Sequence, residues 1–151
     1  MKVFQTLADV ANFVGQEVAP TDWITITQEQ VNQFAEATGD HQWIHVDVER
    51  AKAGPFGAPI AHGFLTLSLL PRFFSMAYQI AENGMGVNYG LNKVRFMSPV
   101  PVGSRLRARM KLLKCEAIDN RGQQMTWEVT VEREGVAKPV CVAESISRRY
   151  P

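Results

Sequence analysis

From Arg105 onward the chain alternates with period two. Leu106, Ala108, Met110 and Leu112 fall on one face, and Arg105, Arg107, Arg109 and Lys111 on the other. That period belongs to a strand, whose successive side chains point to opposite faces of a sheet, and only one of these two faces suits a core. Asp119-Asn120-Arg121-Gly122 supplies a turn, and Met125, Trp127, Val129 and Val131 alternate on the return. Two long strands, apolar on the same side, need a large apolar partner, and the chain provides one upstream. From His62 or Gly63 to Ala81 the sequence predicts a helix that is apolar on most faces (Phe64, Leu65, Leu67, Leu69, Leu70, Phe73, Phe74, Met76, Ala77), the pattern of a buried helix. Pro71 lacks a backbone donor and predicts a kink or a break within it.

Everything after Gly84 reads as strand, ending with Val140 to Arg148, and a phase slip near Leu112-Leu113 predicts a bulge. Upstream, Leu7, Val10, Ala11 and Val14 form a helical stripe that stops at Gly15, and Asp22 to Ile26 alternates as a strand. Thr27 starts a helix with a capping box, because Gln30 stands three residues on; Val31, Phe34 and Ala35 are its apolar face. Asp47 caps a short helix through Ala53, and Gly54-Pro55 ends it. A long buried helix followed by several antiparallel strands predicts an α+β fold, the sheet wrapped around the helix, as a single domain over residues 1–151.

Charge narrows the function classes. Sixteen basic and fifteen acidic residues leave a formal charge of +1, so neither nucleic acid nor an anionic membrane is expected as a partner. The strongest apolar run, Phe64 to Leu70, is far short of the ~20 residues a membrane span needs. The first residues are interrupted by Asp9 and Asn12 and do not read as a signal peptide. Cys115 and Cys141 are isolated in strand patterns and are expected as free thiols, which suits a cytoplasmic protein. The basic stripe of residues 105–111 is expected to be a solvated face opposed by Glu128 and Glu132.

The chemistry concentrates in Thr38-Gly39-Asp40-His41-Gln42-Trp43-Ile44-His45. Gly39 is placed to stop the preceding helix in a left-handed conformation, after which the chain turns. Asp40 and His45 then leave helical spacing and can converge from a loop, an acid and a base around one water. The alternative is that Asp40 caps a turn and His45 is structural. Gly63 opens the buried helix, where unpaired N–H groups and the helix dipole favour a developing oxyanion; otherwise it only eases the turn. No Cys/His/carboxylate spacing matches a known metal site, although His41 and His62 lie near His45 in sequence.

The run Phe34-x3-Thr38-Gly39-Asp40-x4-His45-x5-Ala51 resembles the signature of the MaoC-like, (R)-specific enoyl-CoA hydratases, the hydratase 2 family. The wording from Gly39 to Asp47 is most similar to the nodulation protein N-like branch. Ile60 to Leu70 resembles that family's entry to its central helix, and Val94 to Gly103 its strand-and-turn segment. One departure is that Gln42-Trp43 stands where the signature usually has Asn-Pro.

The resemblance implies a hot-dog fold and reversible addition of water to a trans-2-enoyl-CoA, with Asp40 and His45 sharing the water and Gly63 receiving the thioester oxygen. It implies no redox cofactor or metal; coenzyme A belongs to the substrate. His62, Phe64 and Ser68 are candidate pocket residues, with Phe56 and Leu65 beside the acyl tail. Ser68 or Thr66 is a candidate to orient His45. Lys93 and Arg95 are candidates for the anionic nucleotide, or equally for solvated strand positions. A homodimer is expected, since a lone sheet leaves an edge strand open. An acyl-CoA thioesterase and a non-catalytic acyl-binding protein are the rival readings, because one fold hosts several functions.

Overall fold

A computed structural model describes residues 1–82 and 84–151. The period-two segment is the backbone of the fold. Strand β6 (Arg105–Ile118) pairs antiparallel with β7 (Gly122–Arg133), from Leu106↔Arg133 to Ile118↔Gly122. The register shifts between Leu112 and Lys114, which is the bulge the phase slip predicts. The turn between the strands carries Asn120 and Arg121 at φ 58° and 57°, the doubly left-handed turn that matches strand twist.

β7 pairs with β8 (Cys141–Tyr150), and β8 with β5 (Met85–Arg95). Two short strands, β2 (Glu17–Val18) and β3 (Ile24–Thr25), pair with β6. The six-stranded order is therefore β2-β6-β7-β8-β5, with β3 also on β6. The strand expected over Asp22 to Ile26 contracts to two residues, because Ile26 N–H donates to Ser104 O and Thr21 N–H to Ala108 O as irregular cross-links.

The basic stripe on the far face is neutralised pair by pair. Arg105 meets Glu134 at 3.0 Å, Arg107 meets Glu132 at 2.8 Å, Arg109 reaches Glu17 at 3.3 Å, and Lys111 stands opposite Glu128. The inner face carries Leu106, Met110, Leu112, Trp127, Val129 and Val131, all buried.

The apolar segment divides where Pro71 requires. Helix α4 (Gly63–Ser68) gives way at Leu69 to α5 (Leu70–Ala77), and Pro71 occupies the first turn of α5, where its missing N–H has no intrahelical acceptor to lose. The helix expected to reach Ala81 ends at Ala77. Tyr78 turns extended (φ −148°, ψ 160°), and strand β4 (Tyr78–Ile80) pairs in parallel with β1 (Lys2–Phe4). Backbone pairing with the N-terminus thus outcompetes a last helical turn. The Tyr78 ring also stacks on Trp127 with centroids 5.1 Å apart. Phe73 and Leu70 are buried in the core, but Phe64 is 69% exposed, so the helix expected to be buried is exposed at its first turn.

The N-terminal stripe forms a 3-10 helix (Ala8–Phe13), burying Val10 and Phe13 and leaving Ala11 and Val14 exposed. Gly15 follows it at φ 85°. Among the described residues no helix is long and apolar enough to cross a membrane.

Candidate active site

Three short elements deliver the acid and the imidazole. Helix α1 (Gln28–Thr38) starts on Thr27, whose side chain accepts from Gln30 N–H while the Gln30 side chain accepts from Thr27 N–H, the reciprocal cap expected. It ends on Gly39 at φ 79°, a left-handed stop that a β-carbon would strain. Asp40 follows, and its Oδ1 accepts from Gln42 N–H at 3.3 Å.

His45 does not sit in an open loop as expected. It lies in a single helical turn, α2 (Trp43–Val46), which leads directly into α3 (Val48–Lys52), capped by Asp47 through Arg50 N–H. Trp43, at the departure from the Asn-Pro pattern, packs so closely on Gly54 that a β-carbon there would lie 2.9 Å from the indole. The Arg50 guanidinium covers the same indole at 4.2 Å. This turn is thus fixed by a large aromatic.

The His45 ring is oriented by main chain, not by Ser68 or Thr66. Its Nδ1 lies 2.7 Å from Ile60 O, a carbonyl that can only accept, so Nδ1 carries the hydrogen and Nε2 presents a lone pair. Ser68 Oγ donates instead to Leu65 O. The Gln28 amide, from the start of α1, donates to His45 O at 2.8 Å and holds the turn from behind. Burial pushes the His45 imidazole below its usual pKa, aided by the neighbouring His62, while the Ile60 carbonyl and Asp40 pull the other way.

His62, the N-cap residue of α4, is 2% exposed. Its ring stacks on His45 at 3.8 Å, and its Nε2 donates to Asp40 O at 2.9 Å. Asp40 Oδ2 lies 4.0 Å from the same nitrogen, and the carboxylate is about half exposed. One donor or acceptor atom from each of Asp40, His45 and His62 falls within 4.8 Å of the other two. Such a set has the composition of a transition-metal site; His62 Nε2 and His45 Nδ1 each meet a main-chain carbonyl, so the other nitrogen of each ring presents a lone pair. A carboxylate and an imidazole within 4.8 Å of each other can share one water, since two hydrogen bonds of ~2.8 Å meeting at a water span about 4.6 Å.

Asp40 opens onto a cavity of about 650 Å³ between the segmented helix and the β5/β8 edge, whereas His45 is buried and is not among the residues that line it. Asp40, Thr38 and Phe34 line its α1 end. Phe64, Leu67, Ser68, Pro71 and Phe74 form the helix wall, and Asn88 to Leu91 with Ser145 and Ile146 the sheet wall.

Of the expected pocket residues, Phe64 and Ser68 line it. His62 is buried and outside the lining, Leu65 is buried in the core, and Phe56 is an exposed loop residue. Lys93 and Arg95 do not line it. Lys93 bulges from β5 at φ 51° and pairs with Glu144 at 3.4 Å, and Arg95 donates to Val94 O. The sheet-wall residues and Ile60 were not singled out from sequence. They become neighbours only through strand register, for which no local signal exists. Gly63 stands at the first position of α4, covered by the Phe96 ring.

An α+β protein in which an antiparallel sheet wraps a central helical segment is a hot-dog-fold protein. R-Hydratase PhaJ1 from Pseudomonas aeruginosa superposes with a TM-score of 0.67 at 25% identity, covering 89% of this chain and 79% of that one. The MaoC like domain model matches residues 9–135, and the chain belongs to that family. It is 59% identical to 3-hydroxyacyl-thioester dehydratase Z of Mycobacterium tuberculosis over 148 residues, 98% of each chain. It is 51% identical to nodulation protein N of Rhizobium leguminosarum bv. viciae over 147 residues, 94% of this chain and 89% of that protein.

Proposed function

We propose that the protein is a hydro-lyase that adds water reversibly to a trans-2-enoyl thioester, giving the (R)-3-hydroxyacyl form. The observation that carries this is the approach of the Asp40 carboxylate and the His45 imidazole to within 4.8 Å of each other, with Asp40 in the wall of an apolar cavity. His45 Nε2, left neutral by burial and unprotonated by the Ile60 bond, is the base for the bridging water. As the hydroxyl joins C3, the electron pair of the C2–C3 double bond moves toward the thioester carbonyl. A proton from the pair then reaches C2. The carbonyl oxygen is proposed to lie at the start of α4 beside Gly63, where backbone N–H groups lack intrahelical acceptors and favour the enolate over the ground state. Neither a metal nor a redox cofactor enters this scheme, because the steps are proton transfers and additions to a conjugated thioester.

The names and close likeness of the dehydratase and hydratase relatives support this reading. The thioester is carried on coenzyme A or an acyl-carrier protein, with the acyl chain in the cavity. The working unit is proposed to be a homodimer. β5 is an edge strand of the sheet, and it leaves Met85, Val87, Tyr89 and Leu91 exposed, Tyr89 and Leu91 also standing in the cavity wall. The two unpaired thiols suit the reducing cytoplasm as its site of action.

The test follows crotonyl-CoA at the enoyl-thioester absorbance band with parallel assay of free thiol. Loss of the band without thiol release, insensitive to a chelator, is expected. Thiol release with the double bond intact would establish the rival thioesterase instead, and neither change would leave a binding protein.

A further inference from the structure

We propose that His62 is a positioning residue for the reaction: it touches both members of the acid–base pair and holds them in register without meeting the substrate. The inference rests on the reading of Asp40 and His45 given above and extends it.

Three contacts converge on this one ring. Nε2 donates to the main-chain carbonyl of Asp40 at 2.9 Å and so fixes the residue that carries the carboxylate. The ring face lies on His45 at 3.8 Å and 25°, closing off one side of the base. Its other neighbour is Phe34 of α1, with ring centroids 4.9 Å apart. His62 is also the cap residue from which Gly63 and α4 begin, so the acid, the base and the helix start meet at a single side chain.

Its chemistry is more expensive than packing alone needs. With the hydrogen on Nε2, Nδ1 is a bare acceptor; it is buried and has no hydrogen-bond partner among the described residues. An unsatisfied buried acceptor is disfavoured, and an apolar ring would avoid it. What an apolar ring lacks is the donor to Asp40 O. The residue therefore gives up stability to hold Asp40, in a place 2% exposed. A group acting only through others lowers turnover without weakening substrate binding, and misplacement of reacting groups by about 1 Å costs on the order of 10²-fold.

The experiment compares His62→Phe, which keeps a ring on His45 and loses the donor, with His62→Gln, which keeps a donor and loses the stack. Each is measured for kcat, KM and the pH profile of kcat/KM, alone and in a His45→Gln background. His62→Phe is expected to lower kcat by about 10–100-fold with KM within about twofold, and His62→Gln to recover part of that loss. In the His45→Gln background neither is expected to lower kcat further, because the effect passes through the pair.

In both variants the acid limb is expected to move to higher pH. The groups facing His45 are the Asp40 carboxylate and the Ile60 carbonyl, which raise its pKa and remain, and His62, which lowers it and is removed. If His62→Phe fails to unfold cooperatively, His62→Gln decides alone through its lower kcat and shifted limb. Unchanged kcat and limb in the folded variants, or a further loss in the His45→Gln background, would overturn the assignment. If Asp40→Asn and His45→Gln themselves turn over normally, the acid–base reading fails first. If they are inactive while the His62 variants are normal, only this inference fails.

Discussion

Phe96 lies against Gly63 so closely that a β-carbon on the glycine would sit 2.9 Å from ring Cδ2 and 3.0 Å from Cγ. Two demands therefore fall on one glycine: the packing of Phe96 and the proposed approach of a thioester oxygen to the start of α4. Gly63→Ala is expected to cost about 1–3 kcal/mol in stability, because the contact is with the root of the ring and forces it aside. It is also expected to abolish most turnover. Adding Phe96→Ala separates the demands, with thermal unfolding and kcat measured on the same samples. The expected result is that the double variant no longer carries the Gly63→Ala clash yet stays inactive. Recovery of turnover would show that Gly63 serves packing alone.

The pH profile follows from the environment of His45. Burial, with His62, holds its pKa below the ordinary value of 6.5 against the opposing pull of Ile60 O and Asp40. The base must be neutral to act, so kcat/KM falls only when pH drops through this lowered value. The acid limb is expected below 6.5, and an acid limb above 6.5 would contradict the environment described. The same shift has a stability consequence. Below 6.5 the unfolded chain takes up a proton that the folded one does not, so this group's contribution falls as pH decreases from 6.5 toward the folded pKa.

Much of this was legible in the sequence where the signal is local. The capping box at Thr27, the left-handed stop at Gly39, the Asp47 cap, the break at Pro71 and the bulge after Leu112 each depend on residues a few positions apart. The Asp40/His45 spacing and its family pattern belong to the same kind. Nonlocal pairing was not legible. Tyr78–Ile80 reads as helix until Lys2–Phe4 comes to pair with it. The orienter of His45 is the carbonyl of Ile60, and a backbone acceptor leaves no trace in side-chain identity, so Ser68 and Thr66 drew attention instead. Lys93 looked available for an anion, but strand register gave it to Glu144.

The two thiols should behave differently. Burial pushes Cys141 up to about 11, whereas Cys115 is partly exposed, raised by burial to a lesser depth, and directed at Gln123 Oε1 at 3.6 Å. At pH 7.5 a disulfide reagent is expected to titrate Cys115 slowly in the native protein and Cys141 only after unfolding. Rapid native reaction of Cys141, read by peptide mass mapping, would contradict its burial.

The exposed apolar residues of β5 predict the assembly. Sedimentation is expected to give about twice the chain mass of 16.9 kDa, and Val87→Lys, which places a charge on the exposed strand edge outside the cavity lining, is expected to shift the protein toward monomer with loss of turnover. A fully active monomer would contradict the proposed working unit.

The most direct test of the central claim is a double-substitution cycle on Asp40 and His45, read as kcat for hydration of an enoyl-CoA by correctly folded protein. Groups that act on one water as a unit are grossly non-additive. Asp40→Asn and His45→Gln are each expected to lower kcat by roughly 10²–10⁴-fold, with the double variant scarcely worse than either and substrate binding nearly intact. Turnover near that of the unsubstituted protein in Asp40→Asn, or losses that multiply in the double variant, would contradict the account and leave Asp40 as the cap of its turn.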